Sequence, residues 1–343
     1  MKVAIRTDAS ADIGSGHVIR CLTLADQLRG SGGDVIFLCA MLPGALSDLV
    51  RSRGYVCALL PQSVASSVMI DADETKAALT EMIPGILDWV VVDHYSLDSR
   101  WEQSVRTCCR RLMVIDDIAN RQHSCDLLLD QNYDDQSRYQ GLVPADCRLL
   151  LGPAYALLRP EYAESRGGGD FRRRPLQRVF VFFGGSDCGD LTGIALKALS
   201  ASEFIDLEVD VVVGGNYAHY DTLSKLSSDR GKTTIHGPRL HLADLMAKAD
   251  LAIGAGGVTN WERITVGLPS LVITLADNQV PISEQLHQRG VIRLLGKSED
   301  ITEKWVKDAL LEEITTGKYL KRIPPALAIC DGQGAGRVLK AMQ

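Results

Sequence analysis

The segment Arg6-Thr7-Asp8-Ala9-Ser10-Ala11-Asp12-Ile13-Gly14-Ser15-Gly16-His17 gathers acids, hydroxyls, glycines and a histidine into one loop. It follows an apolar run, Val3 to Thr7, and opens an amphipathic stretch, so it joins a strand to a helix. In a doubly wound sheet such a loop lies at the carboxyl end of its strand, where ligands bind. Gly14 and Gly16 permit close backbone approach, and the following helix offers unpaired N–H groups. His17 then stands at a helix N-terminus, where a neutral imidazole acting as a base fits the positive end of the dipole. Read alone, the string equally describes a helix-start histidine that only ties the loop. It departs from the dinucleotide fingerprint GxGxxG, because Arg20 follows where the helix–sheet contact needs a small residue, and this disfavours NAD.

The second half carries two phosphate-type turns. Phe182-Phe183-Gly184-Gly185-Ser186-Asp187 follows a strand and precedes a helix expected near Asp190 to Leu199, and Ile253-Gly254-Ala255-Gly256-Gly257-Val258-Thr259-Asn260 repeats that arrangement. Exposed N–H groups at both turns suit a diphosphate. The absence of GxxxxGK[ST] argues against a P-loop NTPase. Glu262, on the helix opened by the second turn, is spaced to accept hydrogen bonds from a ribose diol. Asn278 and Gln279 combine donors and acceptors that can read sugar hydroxyl or amide groups. In isolation Glu262 reads as a solvated helix residue, and Asn278-Gln279 as a polar cap.

Asp93-His94-Tyr95 ends one buried strand and Asp116-Asp117 ends the next, so both meet the same rim. These acids can position a sugar, orient a histidine or cap the following helices. Asp71-Ala72-Asp73 looks like a DxD metal motif, yet it precedes a helical pattern and reads as an N-cap. No metal and no cofactor is called for.

Alternating strand and helix patterns must position these residues, which is the signature of βαβ units and a parallel sheet. The strand candidates of the first half are Val3 to Thr7, Val35 to Cys39, Val56 to Leu60, Trp89 to Asp93, Leu112 to Asp116 and Leu127 to Asp130. Val18, Ile19, Leu22, Leu24, Ala25 and Leu28 share one helical face, stopped by Gly30, Gly32 and Gly33. The second series is Val179 to Phe183, Val209 to Val213, Thr233 to His236, Leu251 to Ile253, Leu271 to Thr274 and Val291 to Leu294. Between them Gly167-Gly168-Gly169 and Arg172-Arg173-Arg174 read as a linker with a solvated basic face. The expected division is an N-terminal domain over 1–152, a linker over 153–175, a C-terminal domain over 176–325, and a helix over 326–343 packing back across the linker.

A chain of 343 residues is long enough for two cores, since single cores stop growing at about 250–300 residues. The net charge of −6 argues against a nucleic-acid partner. No export signal and no membrane-spanning run is visible, and nine scattered cysteines without a CxxC pair fit a reducing, cytoplasmic setting. No oligomer is specified, and a monomer is compatible with everything above.

Taken together these residues resemble the PseG-type UDP-2,4-diacetamido-2,4,6-trideoxy-β-L-altropyranose hydrolases of pseudaminic acid biosynthesis. The resemblance runs through Arg6-x-Asp8-x-Ser10-x-x-Ile13-Gly14-x-Gly16-His17-x-x-Arg20, Asp93-His94-Tyr95 and Tyr155-Ala156-Leu157-Leu158-Arg159-x-Glu161-Tyr162. It continues through Gly184-Gly185-Ser186-Asp187, Asn260-x-Glu262 and Asn278-Gln279. It implies an α/β GT-B architecture similar to MurG: two Rossmann-like doubly wound domains, an interdomain cleft, and UDP held by the C-terminal one. It further implies that a UDP-sugar is hydrolysed with His17 as general base. Arg6, Asp8, Ser10, Gly14, Gly16, Arg20, Asp93, His94, Tyr95, Arg159, Asn278 and Gln279 would bind or support the sugar. Gly184, Gly185, Ser186, Gly256, Gly257, Val258, Thr259 and Glu262 would hold UDP. One departure is the turn Gly254-Ala255-Gly256-Gly257, which is richer in glycine than the serine-containing turn of the family. A GT-B glycosyltransferase, a noncatalytic UDP-sugar-binding protein and a UDP-sugar 2-epimerase are the rival readings, which fold analogy alone does not separate.

Overall fold

The computed structural model describes residues 1–10, 13–61, 67–167, 175–185, 187–215, 217–239 and 241–343. Ser186, most of the glycine run at 167–169 and the arginine cluster at 172–174 lie outside the described residues. The chain divides into two compact units, Met1–Leu158 with Gln333–Gln343, and Arg159–Gly332.

The first unit is built on β1 (Lys2–Thr7), β2 (Asp34–Ala40), β3 (Val56–Leu60), β4 (Leu87–Asp93), β5 (Cys109–Ile115), β6 (Leu127–Asp130) and β7 (Arg148–Leu151). All pair in parallel, in the order β3-β2-β1-β4-β5-β6-β7. The expected strands are present, and β7 is an addition. Its short Leu149-Leu150-Leu151 run abuts Gly152 and carries no alternation that would mark a strand. Helices α1 (Gly16–Gly30), α2 (Ser47–Ser52), α3 (Val68–Met82) and α4 (Ser99–Val105) follow successive strands. Val18, Cys21, Leu22, Leu24, Ala25 and Leu28 of α1 pack with Ile5, Phe37, Val91 and Ile115 on one face of the sheet. Ala72 and Leu79 of α3 and Trp101 of α4 pack with Val90 and Leu112 on the other. Both faces are covered, so the strands read as continuous apolar runs rather than alternating ones.

The second unit carries β8 (Arg178–Phe182), β9 (Glu208–Val212), β10 (Thr233–His236), β11 (Leu251–Ala255), β12 (Ser270–Thr274) and β13 (Arg293–Lys297), in the order β10-β9-β8-β11-β12-β13. Its helices are α5 (Pro160–Glu164), α6 (Leu191–Leu199), α7 (Tyr220–Arg230), α8 (Ala243–Lys248), α9 (Thr259–Val266), α10 (Val280–Gln288), α11 (Glu303–Thr316) and α12 (Ile323–Ile329). Each sheet therefore reverses direction once, between β1 and β4 in one unit and between β8 and β11 in the other. At such a switch point adjacent loops leave on opposite faces and open a crevice at the carboxyl ends of the strands.

The expected C-terminal helix over 326–343 is instead two helices in different units, α12 and α13 (Gly334–Met342). Gly332 breaks them with φ 77°, and a Cβ there would come within 2.8 Å of the Thr265 methyl. Gly334 in turn lets α13 approach the backbone of Tyr155 and Ala156. Val338 and Met342 are buried in the first core, and the indole of Trp89 donates to the Met342 carbonyl at 3.0 Å.

Candidate active site and nucleotide site

At the first switch point, the β1–α1 loop is closed by Ser10. Its carbonyl accepts from Gly14 N at 2.9 Å and its hydroxyl from Ile13 N at 3.0 Å. Gly14 adopts φ 80°, the left-handed conformation that lets the loop turn into α1. His17, in the first turn of α1, is 7% exposed. Its Nδ1 lies 2.6 Å from Asp93 Oδ1 at the end of β4. Arg20, one turn along α1, donates Nε and Nη2 to the two oxygens of Asp93 at 2.6 Å each, and Nη1 to Asp117 at 3.0 Å. Tyr95 donates to the other oxygen of Asp117 at 2.8 Å and sets its ring edge-on to His17, with centroids 4.6 Å apart. Burial opposes ionisation of Asp93, but Arg20 and His17 outweigh it and hold the carboxyl well below the usual carboxylate range.

This geometry fixes the histidine tautomer. A carboxylate is acceptor-only, so Nδ1 carries a proton, and in the neutral ring the lone pair is on Nε2. Arg20 Nη2 also approaches Nδ1 at 3.2 Å; a guanidinium cannot be accepted by a nitrogen that already donates, so that approach is not a hydrogen bond. His94 is set the other way. Its Nδ1 accepts from Ser96 N at 3.0 Å and its Nε2 faces Asp8 Oδ2 at 3.3 Å, which engages both ring nitrogens. Among the described residues, His17 Nε2 has no hydrogen-bond partner, whereas both ring nitrogens of His94 are engaged.

Arg6 and Asp8 serve as support. Arg6 is fully buried and grips both Asp8 and Asp71, and Asp8 also accepts from Ala40 N at 2.7 Å. The expected N-cap role of Asp71 is corrected here. The cap of α3 is Ser67, which accepts from Met69 N at 3.2 Å, while Asp71 turns inward to Arg6 and to the indole of Trp101 at 2.8 Å. Of the paired acids after β5, Asp117 joins the His17 cluster. Asp116 caps its own loop through Ala119 N and holds Arg121.

In the second unit the two turns are not equivalent. After β8, Gly184 takes φ 95°, and Gly214 makes room for the Gly185 carbonyl. The N-terminus of α6, however, is already occupied. Asp187 accepts from Leu191 N at 3.0 Å and Thr192 N at 2.8 Å, and Asp190 from Gly193 N at 3.1 Å. Two carboxylates stand where an anionic ligand would need those donors, which leaves the N–H groups of Gly184 and Gly185, rather than those of α6, as the turn's expected phosphate contacts.

After β11 the arrangement is reversed. The carbonyls of Ala255, Gly256 and Gly257 all turn inward and are bound, by Arg263 Nη2 at 2.7 Å, Asn260 Nδ2 at 3.1 Å and Asn260 N at 2.9 Å. The N–H groups of Gly257, Val258 and Thr259, in half-buried residues, have no acceptor among the described residues. Such consecutive donors form an anion-binding nest. A Cβ on Gly256 would come 2.8 Å from Ser283 Oγ, so only glycine fits there. Gln279 faces the same turn and accepts from Leu275 N at 3.0 Å, whereas Asn278 is exposed.

Glu262, on α9, is buried. Tyr162 of α5 hydrogen-bonds its carboxylate and accepts from Leu242 N at 3.2 Å. Glu262 Oε2 and the Nε of buried Arg159 have no partner among the described residues. Burial pushes the Glu262 carboxyl up to about 7 against Tyr162, Arg263 and Arg159, which lower it. Arg159 thus belongs with Glu262, in the unit that also holds the nest.

No family model matches the chain. A UDP-2,4-diacetamido-2,4,6-trideoxy-β-L-altropyranose hydrolase of Campylobacter jejuni is 27% identical over 84% of this chain and 97% of its own length. The spore coat polysaccharide biosynthesis protein SpsG of Bacillus subtilis is 23% identical over 100% and 98%. An uncharacterized protein of Methanocaldococcus jannaschii is 24% identical over 80% of this chain, which spans 55% of that protein. Among solved structures, MurG of Acinetobacter baumannii superimposes with a TM-score of 0.67 at 14% identity, covering 100% and 99% of the two chains. UDP-GlcNAc 2-epimerase from Neisseria meningitidis, bound to UDP-GlcNAc, gives 0.68 at 12% identity over 100% and 99%. The spinosyn forosaminyltransferase SpnP gives 0.67 at 15% over the same shares. The fold is GT-B-like. These identities show a two-unit Rossmann-like α/β fold, and the chemistry rests on the residues described above.

Asp71, marked in the sequence only as a cap, and Arg263, not marked there at all, carry parts of the two clusters. Asp71 sat within a motif whose spacing suggested a cap. The signal for Arg263 was its position one turn after a glycine turn, where it can reach back to the carbonyls beneath.

Proposed function

We propose that the protein hydrolyses a UDP-linked diacetamido-trideoxy sugar to the free sugar and UDP, with C–O cleavage, inversion at the anomeric carbon, and His17 as general base. The observation that carries this reading is the tautomer imposed on His17 by Asp93, which leaves Nε2 free at a switch-point loop. Water loses a proton to Nε2 as its oxygen attacks the anomeric carbon, and the bond to the UDP oxygen breaks. The imidazolium so formed is stabilised by the Asp93 carboxylate already on Nδ1. UDP is a good leaving group, so a strong protein acid is not required, in contrast to an ordinary glycoside. In the second unit the nest at 257–259 holds the diphosphate, and Gly184 and Gly185 add backbone contacts. Glu262 Oε2, a buried acceptor without a partner, takes the ribose hydroxyls. Arg159, Asn278 and Gln279 complete the sugar and nucleotide contacts. The hydrolase of Campylobacter jejuni supports the substrate class, and oriented backbone dipoles supply the charge stabilisation.

Glycosyl transfer is the second reading, favoured by the likeness to the forosaminyltransferase SpnP. Turnover of the UDP-sugar in oxygen-18 water distinguishes the two. Label in the free sugar is the expected result; label in phosphate, or no turnover without an added acceptor, refutes hydrolysis by this route.

A further inference from the structure

Arg263 is 1% exposed, yet among the described residues no carboxylate lies within ion-pair distance of it. Its guanidinium lies under the β11–α9 turn. It donates to the Ala255 carbonyl at 2.7 Å, Asn260 Oδ1 at 2.5 Å and Thr259 Oγ1 at 3.3 Å, all neutral acceptors, and its Nε has no partner. A Cβ on Gly254 would press on the Phe182 carbonyl of β8 and come 2.7 Å from Nη1, so the glycine leaves room for both the neighbouring strand and the cation. Removing a charge from water without a counter-ion is costly. Burial accordingly pushes Arg263 down to about 10. Among the described residues the acid acting on it is neighbouring Glu262, itself pushed up to about 7 by burial, which gives poor compensation. A core that retains such a cation beside three N–H groups without acceptors among the described residues is electrostatically incomplete until an anion occupies the nest.

We propose that Arg263 is a positioning residue for phosphate: its buried charge completes the anion site at 257–259, beside the Ala255 carbonyl that its Nη2 binds. The inference rests on the nucleotide reading above and goes beyond it by assigning the selectivity for phosphate over the bare nucleoside to one internal cation. Asn260 assists, since it accepts from Arg263 while donating to the Gly256 carbonyl.

The test compares UDP with uridine by titration calorimetry on the full chain, at fixed ionic strength, for wild type, Arg263→Met and Arg263→Lys, with thermal melts on the same preparations. Wild type should prefer UDP. Arg263→Met should lose about tenfold or more of that preference while uridine affinity stays within about twofold, a split that a merely structural role would not produce. Arg263→Lys gives up the fork but keeps the charge, and should stay within about threefold of wild type. A folded Arg263→Met protein with the wild-type preference overturns the proposal. So does a lysine variant that falls as far as the methionine one, which would leave geometry and not charge as the contribution. If Arg263→Met does not fold, the lysine variant decides by the same threefold criterion. A wild-type protein that binds UDP no better than uridine defeats the nucleotide reading itself, a result separate from either outcome for Arg263.

Discussion

Replacing His17 with asparagine removes the base while leaving a small polar side chain in its place. The stability cost can be bounded from the structure. The variant loses one charge-assisted hydrogen bond to a wholly buried carboxylate and one ring contact with Tyr95, worth about 1.5–3 kcal/mol. Asp93 is not orphaned, because Arg20 still donates to both of its oxygens. For a unit of this size each kcal/mol lowers Tm by about 2–4 °C, so the melt should fall by about 3–12 °C. Turnover, measured well below both transitions, should fall by about 10²–10⁴-fold, the usual worth of a general base. UDP affinity should change by less than about 1 kcal/mol, since every proposed nucleotide contact lies in the other unit. Initial rates, calorimetric titration with UDP and thermal melts on one preparation check all three. A folded variant with wild-type turnover refutes the tautomer argument, and a loss of rate that merely tracks the loss of folded protein reduces His17 to a structural residue.

Asp93→Asn takes away the bidentate partner of Arg20 and leaves it Asp117 as counter-ion, so it should cost about 1.5–3 kcal/mol in chemical denaturation; a cost under about 1 kcal/mol would mean that the cluster is not a desolvated ion pair. Glu262→Gln tests the raised carboxyl. In the wild type the folded chain keeps a proton that the unfolded chain releases between about pH 4.5 and 7, so this group's contribution to stability falls as pH rises through that window, by on the order of 3 kcal/mol in all. The wild-type-minus-variant difference in unfolding free energy should carry that slope, and a flat difference from pH 4 to 8 would refute it. The same substitution should weaken UDP binding by about 1–3 kcal/mol, by calorimetry. Gly334→Ala would drive a methyl into the backbone of Ala156 and should destabilise the first unit by about 1–3 kcal/mol; an unchanged melt would show that α13 does not dock as described.

The strand runs were legible because β-branched residues buried on both faces of a parallel sheet form continuous apolar stretches, and the loop glycines mark where strands yield to helices. The reactive residues were legible as types: His17, Asp93 and Arg20 all fall at strand ends or helix starts. Their partnerships were not. Asp71 looked like a helix cap because spacing shows position along the chain, while only packing showed that its side chain turns inward to Arg6. The C-terminal segment read as one helix because local propensity does not register that Gly332 sits against Thr265 and Ala163.

By itself, then, the sequence determined the alternation of elements, two cores and the loops on which chemistry can be built, all of them consequences of local periodicity and backbone freedom. Tertiary structure alone decided which histidine nitrogen is free, because that depends on a carboxylate brought from β4 to α1. It also set apart the two glycine turns, which read alike in the sequence. In one, Asp187 and Asp190 consume the N–H groups of α6; in the other, Arg263 and Asn260 bind the carbonyls and the N–H groups have no acceptor among the described residues. A hydrogen bond requires two groups to meet in space, and the partners of these groups are set by the folded chain.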